Sequence, residues 1–328
     1  GVNTNLGSSF QSLGQNGNFI DGLNTKTKAF AQTLMGLLAN PWVLAFLGIA
    51  GIAAGFKWWY DYNKGMIEAS RLTQNFTGLT GDAADKITTD TQAIADHMGK
   101  GFDDTIGAAN TLVQQFGISW EEALTKIEDG IEAGADMNGR FVENINQFAP
   151  ALRDAGVSVD EFVSILAETR NGIFDEKGVQ DIIKGGTRLR AMTKQIAESL
   201  DACGISSKQM QEDLANGNIT MLEAVQQVSA KLKELPENSQ EAGQVMKNVF
   251  GRTAAEGGTL LIQSLADVNT NLDEAKERMG DLGRLNREQM EAQKELNETL
   301  AAVFKMSGTS FEEMTIQAKT YIVQGLTN

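Results

Sequence analysis

The sequence predicts an all-α protein: a bundle of short capped helices, with a hydrophobic helical segment near the N-terminus and a coiled-coil-like C-terminal arm. Proline, the residue that interrupts helices most severely, occurs only 3 times in 328 residues, whereas 34 glycines can separate helices. Helix-start motifs recur along the middle of the chain, and no segment shows the sustained alternation of apolar and polar residues that predicts strands. With 41% hydrophobic residues, the chain can also bury a core.

The first segment, residues 1–30, is rich in Gly, Asn, Ser and Gln and lacks helical periodicity, so we expect a loop or a loosely attached stretch. It has neither the basic start nor the apolar centre of a secretory signal. Because the chain begins with Gly1 rather than Met, we expect the natural protein to be longer.

Residues 31–62 form a hydrophobic segment of membrane-grade composition, without a charged side chain from Pro41 to Phe56. Its length is marginal for a bilayer, which needs about 20 apolar residues as helix, and Asn40-Pro41 would kink or divide it. A helix buried in the protein, or covered by a partner chain, is the alternative. The candidate residues for membrane contact or helix packing are Trp42, Phe46, Gly48, Gly51, Gly55, Phe56, Trp58 and Trp59.

Residues 63–264 are predicted to form a helical core domain whose helix starts are encoded locally. In a capping box, a Ser or Thr accepts a hydrogen bond from the backbone three residues on, and a Glu or Gln there reaches back to the cap. Four such pairs are predicted: Ser119 with Glu122, Ser158 with Glu161, Ser206 with Gln209, and Thr220 with Glu223.

Residues 265–328 are predicted to form a heptad-like helical arm, in which apolar residues occupy consecutive a and d positions. These positions are Leu265, Val268, Leu272, Ala275, Met279 and Leu282. Gly280 and Gly283 weaken this pattern, and polar residues at later seam positions, such as Asn286, predict a break, a kink or a polar-tolerant partner near 280–293. We expect self-association through residues 265–303.

Composition and motifs favour a chain without catalytic, cofactor-binding or metal-binding residues. His97 is the only histidine and Cys203 the only cysteine, so neither a two-imidazole site nor a multi-thiolate zinc site can form within the chain. No phosphate-binding glycine loop is present. The formal charge of −15 disfavours sequence-specific nucleic-acid binding, because it repels phosphate backbones.

Several stretches resemble the core of phage tail tape-measure proteins, the minor tail proteins of long-tailed phages and prophages. The resemblance covers about residues 35–305, and its motifs are structural rather than catalytic. They are the apolar stretch from Asn40-Pro41-Trp42 to Gly55-Phe56-Lys57, the capped stretches at 116–124 and 156–162, Phe148–Leu152, Arg170–Phe174, Gly217–Thr220 and Val249–Gly258.

This resemblance implies a structural protein that lies inside the tail tube, sets tail length through its helical extent and assists genome delivery across the host envelope. It implies tail-tube and tail-assembly chaperone proteins as partners, and host-membrane contact through the hydrophobic segment. The location would be the virion tail interior, with the host cytoplasm during assembly and the host envelope during ejection. The alternative from the residues alone is a pore-forming or membrane-inserting helical toxin-like protein.

Overall fold

A computed structural model describes residues 65–170, 174–236, 239–252 and 259–306. Helices joined by short turns make up this part of the chain, and no strand occurs in it. The predicted all-α class is therefore confirmed. The hydrophobic segment 31–62 and the polar segment 1–30 lie outside the described residues.

The helices follow one another closely along the chain. In order they are α1 (residues 65–77), α2 (Gly81–Met98), α3 (Phe102–Phe116), α4 (Trp120–Glu132), α5 (Phe141–Asp154), α6 (Val159–Glu168), α7 (Glu176–Ala191), α8 (Lys194–Ala202), α9 (Ser207–Asn216), α10 (Met221–Glu234), α11 (Gln240–Val245), α12 (Thr259–Ser264) and α13 (Leu272–Met306). A π-helical turn, Met246–Phe250, continues α11, and a 3-10 turn, Leu265–Asp267, continues α12.

Two compact units divide the described residues, one within 94–291 and the other formed by residues 65–93 with 292–306. The first unit contains most of the helices. Within it α3 packs against α5, α4 against α6, and α7 against α10. The boundaries predicted at 62/63 and 264/265 remain predictions.

Glycines in the larger unit let aromatic side chains approach helix backbones closely. The ring of Phe141 lies where a Cβ on Gly130 would be, 2.3 Å from the nearest ring carbon, and Phe250 stands 2.8 Å from the same position on Gly185. Both phenylalanines are fully or almost fully buried. Apolar burial on this scale stabilises a fold by about 1.5–3 kcal/mol per large side chain.

Polar side chains join α1, α2 and α13 in the smaller unit. The Thr88 hydroxyl donates to the Thr73 hydroxyl at 2.8 Å, and the Asn297 amide donates to the carbonyl of Thr89 at 3.3 Å. Thr73 and Asn297 are completely buried. These bonds therefore form in a low-dielectric interior, where a lost partner is costly.

Helix α13 begins later than the heptad pattern predicts. Leu265 lies in the 3-10 turn and Val268 lies between helices, so the predicted run of a and d positions is not one continuous helix. The cause is local, because the Asn269 side chain accepts from the backbone of Asn271 and donates to its carbonyl, a turn that competes with helix. Asn271 then accepts from the backbone of Asp273 and Glu274.

A kink interrupts α13 at Gly280, whose φ of 53° and ψ of −128° lie outside helical geometry. The sequence predicts a break, a kink or a polar-tolerant partner near 280–293, and the kink lies at the start of that interval. Beyond it, the buried positions of α13 in the larger unit are Gly283 and Met290, with Asn286 partly buried, whereas Leu282 remains 48% exposed. The inward face of this stretch thus differs from the apolar seam that the heptad pattern predicts.

Among the described residues, none of the helices combines the length and apolar composition that a membrane crossing requires. The candidates for membrane contact, from Trp42 to Trp59, fall outside those residues.

Candidate functional site: the attachment of α13 to the helical core

The C-terminal end of α4 is the point at which α13 is attached within the larger unit. The last carbonyls of a helix lack the usual partner four residues onward, and that of Ile131 accepts instead from the backbone of Gly134 at 3.0 Å. Arg170 donates to the carbonyl of Ala133, and the Asn286 amide donates to that of Ile131 at 3.3 Å. Two side chains from distant parts of the sequence thus satisfy a single helix end.

Gly283 allows α13 to pass against this end of α4. A Cβ at this position would lie 2.7 Å from the carbonyl oxygen of Glu132 and 2.9 Å from the Cβ of Met279. Neither neighbour is the flexible end of a side chain. The crossing of the two helices therefore depends on glycine at 283.

Ion pairs surround the crossing. Lys276 lies 3.2 Å from Asp129, Arg278 lies 3.1 Å from Glu168, and Arg287 pairs with Glu132. The carboxylates belong to α4 and α6, and the cations belong to α13. Charge complementarity therefore aligns α13 on its neighbours.

Lys276 has the most closely surrounded charge of this group. Burial lowers its pKa, but the hydrogen bonds and charges of Asp273 and Asp129 outweigh that effect, so the pKa of Lys276 is raised overall. Lys126 lies 2.6 Å from Asp160 in the same network. Lys276 therefore remains protonated and acts as a structural cation.

A shallow depression of about 390 Å³ lies over this network, lined by Lys126, Asp129, Asp160, Thr270, Asn271, Leu272, Asp273 and Lys276. Its lysines and the facing aspartates Asp129, Asp160 and Asp273 already pair with one another. Because these charges pair with one another, they form a structural ion-pair network.

The predicted cap residues stand at helix starts. Ser158 and Glu161 form both bonds of a capping box, with the Ser158 backbone donating to the Glu161 carboxylate at 2.8 Å, and Thr220 and Glu223 form another. At Ser119 and Ser206 only the serine bond forms, to the backbone of Glu122 and of Gln209.

The Gln209 side chain has a different partner from the one that its motif predicts. Its amide donates to the Asp213 carboxylate at 3.1 Å, one helical turn onward. Asn218 donates to the same oxygen at 3.0 Å, and the two bonds lower the pKa of Asp213. Gln209 therefore links the start of α9 to its C-terminal turn.

The two residues with potential for chemistry lie apart from this site. His97 occupies the last turn of α2, where burial lowers its pKa. Cys203 is buried after α8, and burial raises the pKa of its thiol, which disfavours the reactive thiolate. Within the described residues, no group of three or more His, Cys, Asp or Glu side chains is arranged to hold a metal ion.

Comparison with known proteins gives one match. The family described as phage-related minor tail protein matches residues 60–251, more than half of the chain. The chain belongs to this family. No curated protein and no solved structure matches significantly.

The minor tail protein family places the chain among the structural proteins of the phage tail, and its location is the virion tail. The matched residues include α2 to α11 and end at Gly251, the residue that terminates the π-helical turn. The acceptors of the attachment site, on α4 and α6, lie inside the matched region. Helix α13, which they hold, lies beyond it.

The residues of this attachment site do not follow from sequence patterns alone. Gly283 interrupted the heptad pattern, and Asn286 stood at a predicted seam position, but neither pattern names a partner. Arg170 was noted only within a motif. Their shared role depends on contacts distant in sequence, which span 37 residues between Arg170 and Ala133 and 155 residues between Asn286 and Ile131.

Proposed function

We propose that this minor tail protein is the core part of a tape measure, lying within the tail tube and setting tail length through its helical extent. The observation that carries the proposal is the match of a phage tail family to a chain whose described residues are helical. Helix converts chain length into distance at ~1.5 Å per residue, so a helical protein can serve as a ruler.

Changing the length of α13 in the phage that encodes this chain tests the proposal. Inserting about 56 helix-forming residues after Glu291, which is exposed, should lengthen the tail by ~84 Å, measured by electron microscopy of virions. Doubling the insertion should double the increment.

A length-neutral variant, Leu282→Ala with Leu285→Ala, is the control, because both side chains are exposed. Its tails should keep the parental length. Tails of unchanged length in virions that contain the inserted chain would rule out the ruler role.

The second part of the proposal concerns genome delivery, in which segment 31–62 contacts the host membrane. Its support is the absence of charge from Pro41 to Phe56. Full-length chain should co-float with liposomes, and a chain lacking 31–62 should not. Equal flotation of the two chains would show that the segment has no such role.

We also propose that the chain performs no catalysis. The charged groups of its described depression are paired with one another, as an ion-pair network rather than a reaction centre. The purified chain should release no fragments from peptidoglycan under conditions in which a muralytic enzyme does.

A further inference from the structure

Residues 182–197 and residues 242–255 carry cations without any acidic residue. The first stretch contains Lys184, Arg188, Arg190 and Lys194, and the second contains Lys247 and Arg252.

The fold brings the two stretches together. The π-helical turn Met246–Phe250 packs against both α7 and α8. Arg188 donates to the carbonyl of Val249 at 3.4 Å, and Asn248 donates to the carbonyl of Gln195 at 3.2 Å. Lys247 and Arg252 thus lie beside the cations of α7 and α8, and we call these six side chains the basic patch.

Four of the six side chains of the basic patch differ from most other cations of the described residues, because they have no carboxylate nearby. Most of those other cations lie within 4.0 Å of a carboxylate, as at the attachment of α13. Arg188, Arg190, Lys247 and Arg252 have no carboxylate within that distance in the described part of the chain. Lys184 and Lys194 have only distant ones, at 3.9 Å and 3.6 Å.

A structural role accounts for part of the basic patch. Arg188 and Arg190 lie in the last turn of α7, where cations stabilise the negative end of a helix. The same explanation applies to Lys247, in the last turn of the π-helical element, but not to Arg252, which follows that element. All six side chains are exposed, so their combined potential is available to a partner.

We propose that the basic patch binds an acidic protein segment through its carboxylates. Guanidinium groups match carboxylates in geometry, and an acidic segment confined to the patch avoids the negative surface of the rest of the chain. A nucleic acid would extend beyond the patch and meet that surface, with a net charge of −15. The patch also contains no aromatic side chain on which a base could stack.

Binding of a fluorescently labelled polyglutamate peptide to the full chain tests the proposal, by anisotropy at low salt. The patch variant is Arg190→Glu with Lys247→Glu and Arg252→Glu. It changes exposed positions that have no carboxylate within 4.0 Å in the described part of the chain, and it leaves Arg188 on Val249. It should bind about tenfold more weakly or worse, since complementary charges are replaced by like charges.

The control variant makes the same change in net charge elsewhere, as Arg71→Glu with Arg153→Glu and Lys208→Glu, all at exposed positions. It should bind like the parent, and circular dichroism should show all three chains equally helical. Equal weakening in both variants, or no binding by the parent at low salt, would overturn the proposal. So would tighter patch-dependent binding of duplex DNA of the same charge, because the partner would then be a nucleic acid.

Discussion

At the residue scale, a few side chains decide whether the helices can approach one another. Gly283 is the clearest case, since its missing side chain leaves room for the carbonyl of Glu132. Asp181 illustrates the opposite situation, a charged group held where water is excluded. It is only 2% exposed, and one of its carboxylate oxygens has no hydrogen-bond partner.

Replacing Gly283 with Ala should destabilise the fold by about 1–3 kcal/mol, because the new Cβ meets backbone that cannot move aside. Urea unfolding followed by circular dichroism measures the change. Gly107→Ala in α3 is the matched control, since nothing lies within 4 Å of its added Cβ. That control should be neutral or more stable by up to ~1 kcal/mol, and equal losses in both variants would refute the close crossing.

Replacing Asp181 with Asn should stabilise the protein at neutral pH. Burial raises the pKa of Asp181, so its ionised form is disfavoured in the folded state. The parental protein therefore gains stability as the pH falls from neutral through that raised pKa, towards the unfolded value of about 3.9. The advantage of the Asn variant should shrink over the same interval.

Asp213 should show the opposite dependence of stability on pH. Hydrogen bonds from Asn218 and Gln209 lower its pKa, so its contribution is present above the unfolded pKa and is lost as the pH falls. Asp213→Asn should therefore lower stability at neutral pH, with a difference that disappears in acid. Thermal unfolding of both variants across pH measures the two trends, and identical trends would contradict the assigned causes.

At the element scale, helix starts and helix attachments depend on different kinds of interaction. The starts of α6 and α10 are stabilised by residues within four positions of each other, Ser158 with Glu161 and Thr220 with Glu223. The attachment of α13 instead depends on charges from α4 and α6. The helix starts should therefore resist added salt, whereas the attachment of α13 should weaken as salt is added.

Glu161→Ala should cost more stability than Glu122→Ala, although both residues stand at the third position of a capped helix. Only Glu161 bonds back to its cap, so its loss should cost about 0.5–1.5 kcal/mol. Glu122 contributes mainly through the helix dipole, worth about 0.3–1 kcal/mol. Chemical unfolding of the two variants compares them, and an equal or reversed order would show that the second bond adds nothing.

Salt should loosen α13 selectively. Arg278 and Arg287 are about half exposed, so their ion pairs are screened at about 1 M salt, where the Debye length is ~3 Å. Hydrogen exchange of residues 272–290 should accelerate relative to α5, whose contacts include the buried Phe141, Ile145 and Phe148. Uniform acceleration of both helices would mean that the ion pairs do not hold α13.

At the scale of the whole molecule, sequence predicts what is locally encoded and misses what distant residues determine. The all-α class follows from proline scarcity and helix-start motifs, and helices begin directly after Ser158 and Thr220. The start and inner face of α13 do not follow, because the heptad pattern counts apolar side chains. That face instead contains Gly283, which lets the carbonyl of Glu132 approach closely, and Asn286, which donates to the carbonyl of Ile131.

The completely buried Asn297 has a consequence for how α13 is positioned along its axis. Its amide donates to the carbonyl of Thr89. If α13 shifted along its axis by one turn, an apolar contact at this place could form again, but this hydrogen bond could not. A slipped helix would leave a buried amide without an acceptor, at a cost of about 1–3 kcal/mol. Asn297 therefore selects one axial register of α13 over registers that would bury similar apolar surface. A buried asparagine has the same effect in coiled coils.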